Sequence, residues 1–265
     1  MRMIRREPES AFIATQGIHN LRDYGGWRGA DGAQVRTGLL YRSGQHMDAS
    51  AADLATIRDL DIRTVIDLRG TSERQSFPCR RVEGFAGEVL FYDGETSNSP
   101  PHEGGGGRIE MTAARARDRM IAVYTRMPEN PAMIDIFSRY FEALAQREGA
   151  SLVHCFAGKD RTGIAASLLL HTLGVDFADI TTEFLRTNEA PTRKVLERQS
   201  LPRMAQHYGE IEPDALRNLM GVHPDYLDTY WRYVTGEYGS IDAYVEQRLG
   251  VDGASKARLR ERFLT

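Results

Sequence analysis

A cysteine and an arginine six positions apart, set between two apolar runs, constrain this chain more than any other feature. The string is His154-Cys155-Phe156-Ala157-Gly158-Lys159-Asp160-Arg161-Thr162-Gly163. Its pattern predicts a brief buried strand over 151–155, a tight loop, and a helix over 162–173. Such a unit aims several backbone N–H groups into one concavity at a helix N-terminus, where the dipole favours negative charge. Gly158 and Gly163 allow the backbone to turn sharply and to approach a ligand closely. The result is an anion cradle with a thiol at its floor.

The residue types in that cradle suit one chemistry. A helix N-terminus and nearby cationic groups favour the thiolate form of Cys155. Arg161 offers a planar fork for two phosphoryl oxygens. Phe156, Ala157, Gly158 and Lys159 complete the phosphate-binding set with Thr162, whose hydroxyl is placed to donate to the Cys155 sulfur as it departs. Together they imply covalent phosphoryl transfer in two steps, with no metal or other cofactor. A free cysteine is more often a small buried hydrophobe, but Arg161 and Thr162 at these offsets outweigh that reading. Cys79 is the contrast: Phe85 stands six positions after it, so Cys79 reads as structural.

Composition limits the alternatives. A chain of 265 residues, 41% hydrophobic, can build one sizeable core with a helical appendage. A net charge of -3 gives no global attraction to nucleic acid, so anion binding must be local. Basic charge is almost all arginine, and Lys159 is one of three lysines. Two cysteines make no disulfide framework and suit a reducing compartment. The first ten residues are charged, no apolar run is long enough to span a bilayer, and the expectation is a cytoplasmic protein, with secretion by a route without a cleavable signal left open. No HExxH or CxxC spacing suggests a metal site.

Along the chain, strands are predicted over 35–41, 64–68 and 88–92. A helix carries Leu54, Ile57 and Leu60, capped by Asp48 or Ser50. Residues 97–107, with Pro100, Pro101 and four consecutive glycines, read as loop. Helices dominate after Met111, including a stripe of Ile134, Phe137, Phe141 and Leu144. A C-terminal set places Leu227, Tyr230, Trp231 and Val234 on one face, with Ser240 and Ser255 as candidate caps for the last two helices. Interleaved strands and helices imply an α/β fold with a mostly parallel sheet and an added helical layer. The expected organisation is a single domain, with an N-terminal extension over 1–17, a mobile loop over 95–110 and a helical layer over 190–265.

The loop resembles the HCxxGKDRTG signature of atypical bacterial tyrosine phosphatases that also act on phosphoinositides. Other segments resemble that family in order: Asn20-Leu21-Arg22-Asp23-Tyr24-Gly25-Gly26, Tyr41-Arg42-Ser43, Asp67-Leu68-Arg69 with Glu73, Phe184-Leu185-Arg186-Thr187-Asn188, and Tyr238-Gly239-Ser240 with Tyr244. The resemblance runs from about residue 18 to the C-terminus. It implies a dual-specificity-phosphatase-like α/β core, a covering helical lid, and activity on phosphotyrosine, with phosphoserine, phosphothreonine or a phosphoinositide as further substrates. A lysine at position 159 resembles 3-phosphoinositide phosphatases, and an Asp just before the Arg resembles myotubularins. Lys159 reads either as a ligand for a second phosphate or as a solvated rim charge.

Two aspartates compete as general acid: Asp160, placed beside the phosphate by chain connectivity, and Asp93, which follows a predicted strand and precedes Gly94. Arg22, Asp23 and Arg42 are expected to support the loop, chiefly as structural ion pairs. Asp67, Arg69 and Glu73 read as scaffold. His154 is expected to face away from its neighbour and bond backbone. Rival readings are a rhodanese-like sulfurtransferase, which needs no bidentate fork, and a non-catalytic phosphate-binding module. Oligomeric state is open.

Overall fold

The sheet is built around the strand that ends at His154. A computed structural model describes residues 12–96 and 110–265; the predicted loop at 97–107 and the first ten residues lie outside them. The strands are β1 (Arg22–Asp23), β2 (Leu40–Ser43), β3 (Ile62–Asp67), β4 (Glu88–Phe91) and β5 (Ala150–His154), in the order β1-β2-β5-β3-β4. β5 pairs in parallel with β2 and β3, β3 with β4 likewise, and only β1 is antiparallel. Parallel strands need crossovers. These are supplied by α1 (Ala51–Asp59), α2 (Thr71–Ser76), α3 (Ala113–Arg126) and α4 (Pro131–Gln146).

Strand periodicity sends successive side chains to opposite faces. Leu40, Ile66 and Val153 join a large apolar core, while Tyr41, Val65 and Leu152 face a smaller one with Ile57 of α1. The large core is covered by α4 and by α5 (Asp160–Thr172), whose Ile164, Leu168, Leu169 and Leu170 are all fully buried. A helix apolar on every side belongs inside a fold. Phe137, Phe141 and Leu144 are buried as their spacing predicts, with Ile134 packed at the margin.

The C-terminal layer comprises α6 (Phe177–Leu185), α7 (Arg193–Tyr208), α8 (Pro213–Met220), α9 (Pro224–Tyr238), α10 (Ile241–Gln247) and α11 (Gly253–Phe263). Leu227, Tyr230, Trp231 and Val234 of α9 are buried. This is the expected α/β architecture: a mostly parallel sheet flanked by helices, with a helical layer added. No described helix is long and apolar enough to cross a membrane.

Local expectations differ in two places. The strand expected over 35–41 begins only at Leu40, because Gly38 takes φ +82° and its N–H is held by the Asp23 carboxylate. Val35 instead bridges Leu264. Ser50 and Ser240 cap α1 and α10 as expected, but Asp252 caps α11 by accepting from the Ser255 N–H. An aspartate three residues before a donor does the same work as the serine would.

Candidate active site

Cys155 leaves the C-terminal end of β5 and is 3% exposed. Ligands of open parallel sheets bind at that end of the strands. The chain then turns through Phe156, Ala157 and Gly158 into α5. Gly158 has φ +69°, and a Cβ there would stand 2.4 Å from the carbonyl carbon and oxygen of Ser43. Both conformation and space therefore demand glycine. The Gly158 carbonyl is pinned by Asn20 Nδ2 at 2.8 Å and Arg42 Nη2 at 3.0 Å.

Arg42 and Arg22 are fully buried behind the loop and share one carboxylate. Glu183 of α6 accepts from Arg42 Nη1 at 3.0 Å and from Arg22 Nε at 3.2 Å. Burial and the neighbouring Arg42 charge bring the Arg22 guanidinium down to about 10, against the opposing pull of Glu183. Arg22 and Arg42 thus support the loop through an ion pair, as expected, although Glu183 was not foreseen. Asp23 does not join them. Its carboxylate ties the N–H groups of Gly25 and Gly38 near the sheet edge.

Arg161 is held by Glu73, so Glu73 pairs with the arginine of the loop rather than within an Asp67–Arg69 network. Nη2 meets Oε1 at 2.8 Å and Nη1 meets Oε2 at 2.5 Å. Nη1 also bonds the Leu68 carbonyl at 3.2 Å and Thr96 Oγ1 at 3.0 Å. Burial disfavours both charges, yet Glu73 raises the Arg161 value and Arg161 lowers that of Glu73. A guanidinium has five N–H groups. With Nη1 saturated and Nη2 half used, the Nε–H and the second Nη2–H form an edge without a partner among the described residues.

Asp160 lies on the cavity wall with Cys155 and Arg161. Its Oδ1 accepts from Tyr124 Oη at 2.7 Å and from Lys159 Nζ at 2.8 Å, and Oδ2 pairs with Lys159 Nζ at 2.7 Å. Lys159 is 6% exposed, so it is not a solvated rim charge. Asp93 is exposed in the turn before Gly94 and does not line the cavity. Thr162 is fully buried, and its hydroxyl has no hydrogen-bond partner among the described residues.

Above the loop stands a cavity of about 770 Å³. Its walls are largely apolar: Phe77 and Met47 on one side, and Leu196, Met204 and Tyr208 of α7 with Met220 of α8 on the other. Phe156 packs edge-on against Phe77 at 4.8 Å. Gln199 of α7 meets His19 at 3.2 Å, and α7 shares the cavity wall with the Cys155 loop. Tyr226, Tyr230 and Trp231 are core residues rather than cavity walls.

Behind the loop, His154 Nδ1 bonds the Cys155 carbonyl at 3.3 Å, as expected of a loop-fixing histidine. Burial depresses its ring to about 4. Asp67, Cys79 and His154 bring ligand atoms within 4.8 Å of one another. The cation among them is Arg69, whose Nη2 reaches Asp67 Oδ2 at 2.7 Å and Cys79 Sγ at 3.1 Å. A metal there would meet a guanidinium already in place, so the donors do not fit one.

The chain's relatives agree with this geometry. It is 34% identical to a Cupriavidus necator protein that carries the name of a tyrosine-protein phosphatase, over 95% of this chain and 88% of that one. It is 28% identical to the triple specificity protein phosphatase PtpB of Mycobacterium tuberculosis, over 92% and 96% respectively. A tyrosine-protein phosphatase of Nostoc commune is 37% identical over 43% of this chain and 36% of its own. The profile of the tyrosine phosphatase family matches residues 13–265. A buried thiol beneath an arginine fork and a match across nearly the whole chain give one answer: the chain belongs to the tyrosine phosphatase family and is a protein-tyrosine phosphatase.

Proposed function

We propose that hydrolysis runs through a thiophosphate on Cys155, with Arg161 as the phosphoryl clamp and Asp160 as the general acid. The observation that carries this reading is the free Nε/Nη2 edge of Arg161 in the same cavity as the Cys155 thiol. In the first step the thiolate attacks phosphorus, the P–O bond to the leaving group breaks, and Asp160 gives that oxygen its proton. In the second, water attacks phosphorus, Asp160 takes the water proton, and the S–P bond breaks to release phosphate and the thiolate. The Arg161 edge and the loop N–H groups of Phe156, Ala157, Gly158 and Lys159 hold the three equatorial oxygens. Asp160 is preferred over Asp93 because it lines the cavity and Asp93 does not.

Substrate follows from the cavity. Its width and apolar walls suit an aryl phosphate, and phosphotyrosine in a protein is the primary substrate. The Mycobacterium tuberculosis relative is named for a triple specificity, which supports substrates beside phosphotyrosine, and phosphoserine and phosphothreonine are the further ones expected. The phosphoinositide reading is weaker. A second phosphate needs an available cation, and Lys159 is engaged by both oxygens of Asp160.

The test compares wild type with Cys155→Ser on phosphotyrosyl, phosphoseryl and phosphoinositide substrates at matched concentration. Cys155→Ser should bind vanadate and show no turnover. Retention of the wild-type rate in that variant would falsify the covalent route. Faster turnover of phosphoinositide than of phosphotyrosyl peptide would reverse the substrate assignment.

A further inference from the structure

Tyr124 lies on α3, far from the loop in sequence, yet its hydroxyl ends on the carboxylate that the mechanism uses. The ring is fully buried, stacked on Tyr226 at 5.4 Å and edge-on to Phe184 at 6.2 Å. These two aromatic contacts leave the hydroxyl little freedom, and it donates to Asp160 Oδ1 at 2.7 Å. Burial and the Asp160 charge hold the phenol well above its ordinary value, so it remains a donor throughout the working range.

The two oxygens of Asp160 are therefore unlike. Oδ1 accepts from both Tyr124 and Lys159, while Oδ2 meets Lys159 as an ion pair and accepts no hydrogen bond among the described residues. A carboxylate oxygen has two lone pairs in plane. On Oδ1 both are occupied. A proton arriving at this carboxylate finds its place on Oδ2.

We propose that Tyr124 is a positioning residue for catalysis: by occupying Oδ1 it makes Oδ2 the oxygen that exchanges the proton with the leaving group and then with water. This rests on Asp160 as the acid. The transfer balances within the two steps already described, because the proton that leaves Oδ2 for the leaving oxygen is restored there by the attacking water. The charged groups facing Asp160 are Lys159 and Arg161, with Tyr226 beyond Tyr124. Tyr124 is the neutral donor among its direct partners, so removing its hydroxyl alters proton affinity without changing net charge.

The experiment uses Tyr124→Phe, which keeps the stacked ring. A donor to the charged form lowers a carboxyl's proton affinity. Its loss should move the basic limb of the kcat–pH profile up by about one pH unit. The rate on phenyl phosphate, whose leaving group needs the proton, should fall about tenfold. On 4-nitrophenyl phosphate, whose leaving group does not, the fall should be under about twofold. Incorporating 3-fluorotyrosine at 124 strengthens the donor without altering the fold and should move the limb the opposite way. In an Asp160→Asn background Tyr124→Phe should add nothing. Equal losses on both substrates, or an unmoved limb in both Tyr124 variants, overturns the proposal. If Asp160→Asn itself keeps the wild-type rate on phenyl phosphate, the acid assignment falls and takes this inference with it. If Asp160→Asn is slow while both Tyr124 variants behave as wild type, only the role of Tyr124 is overturned.

Discussion

Glu73 grips Arg161 with both carboxylate oxygens, at 2.8 Å to Nη2 and 2.5 Å to Nη1. The pair joins α2 to the first turn of α5 across the mouth of the loop. Glu73 also closes a turn on its own helix, accepting from the Gly70 N–H at 3.1 Å. One carboxylate thus fixes both the helix that carries it and the plane of the arginine fork. A fork held in plane before substrate arrives loses less entropy on gripping phosphate.

Replacing Glu73 by Gln keeps the size and removes the charge and one acceptor. The expected result is a fall in kcat of about tenfold, with Arg161→Lys falling about a hundredfold or more because a point charge cannot present two parallel donors. Steady-state kinetics on phosphotyrosyl peptide measures both. Wild-type kcat in Glu73→Gln would show that Arg161 needs no external alignment.

Glu183 occupies the opposite side of the loop, where it is the shared counter-charge of two fully buried arginines. Breaking a buried pair from one end leaves an uncompensated charge in the interior, at a cost of about 3–5 kcal/mol. Glu183→Gln should therefore lower the unfolding free energy measured in urea by that order without contacting substrate. Because Arg42 also holds the Gly158 carbonyl, loop order should fail before the rest of the fold. Hydrogen exchange at 156–160 reports this: protection there should drop more than in β3. A loss below about 1 kcal/mol would show that the two arginines find other partners.

Much of this site was legible because its chemistry is local. Cys155, Gly158, Lys159, Asp160 and Arg161 lie within seven positions, and a strand, a tight loop and a helix leave them one way to converge. The apolar stripe of α4 and the buried apolar run of α5 were readable from the sequence pattern for the same reason. The carboxylates were not. Glu73 stands 88 positions from Arg161, and Glu183 stands 141 from Arg42 and 161 from Arg22. A glutamate on a helix looks like a solvated face until the sheet brings its partner near. Tyr124 was hidden likewise: an aromatic at core spacing does not announce where its hydroxyl ends. The faint signal was arithmetic, since Arg22 and Arg42, read as structural ion pairs, required a carboxylate partner somewhere.

Acid sensitivity should come from the far side of the loop, where His154 and Asp67 are buried together. Burial depresses His154 to about 4, against the pull of Asp67. Asp67 is lowered to about 2: burial opposes its charge, but His154 and Arg69 prevail. The unfolded histidine takes up a proton below about 6.5, which the folded one refuses until about 4. Stability from His154 is therefore complete above about 6.5 and is lost as pH falls from there to about 4, a change of about 3 kcal/mol. Asp67 adds a second loss between its unfolded value near 3.9 and about 2. His46, stacked on His154 at 5.4 Å, is also lowered by burial and contributes in the same direction. The melting temperature should thus fall steadily from pH 6.5 to pH 4, and His154→Asn, which keeps a polar group but cannot titrate there, should flatten that slope without abolishing it. A wild-type melting temperature constant across that window would mean that His154 takes up its proton as readily in the folded chain as in the unfolded one.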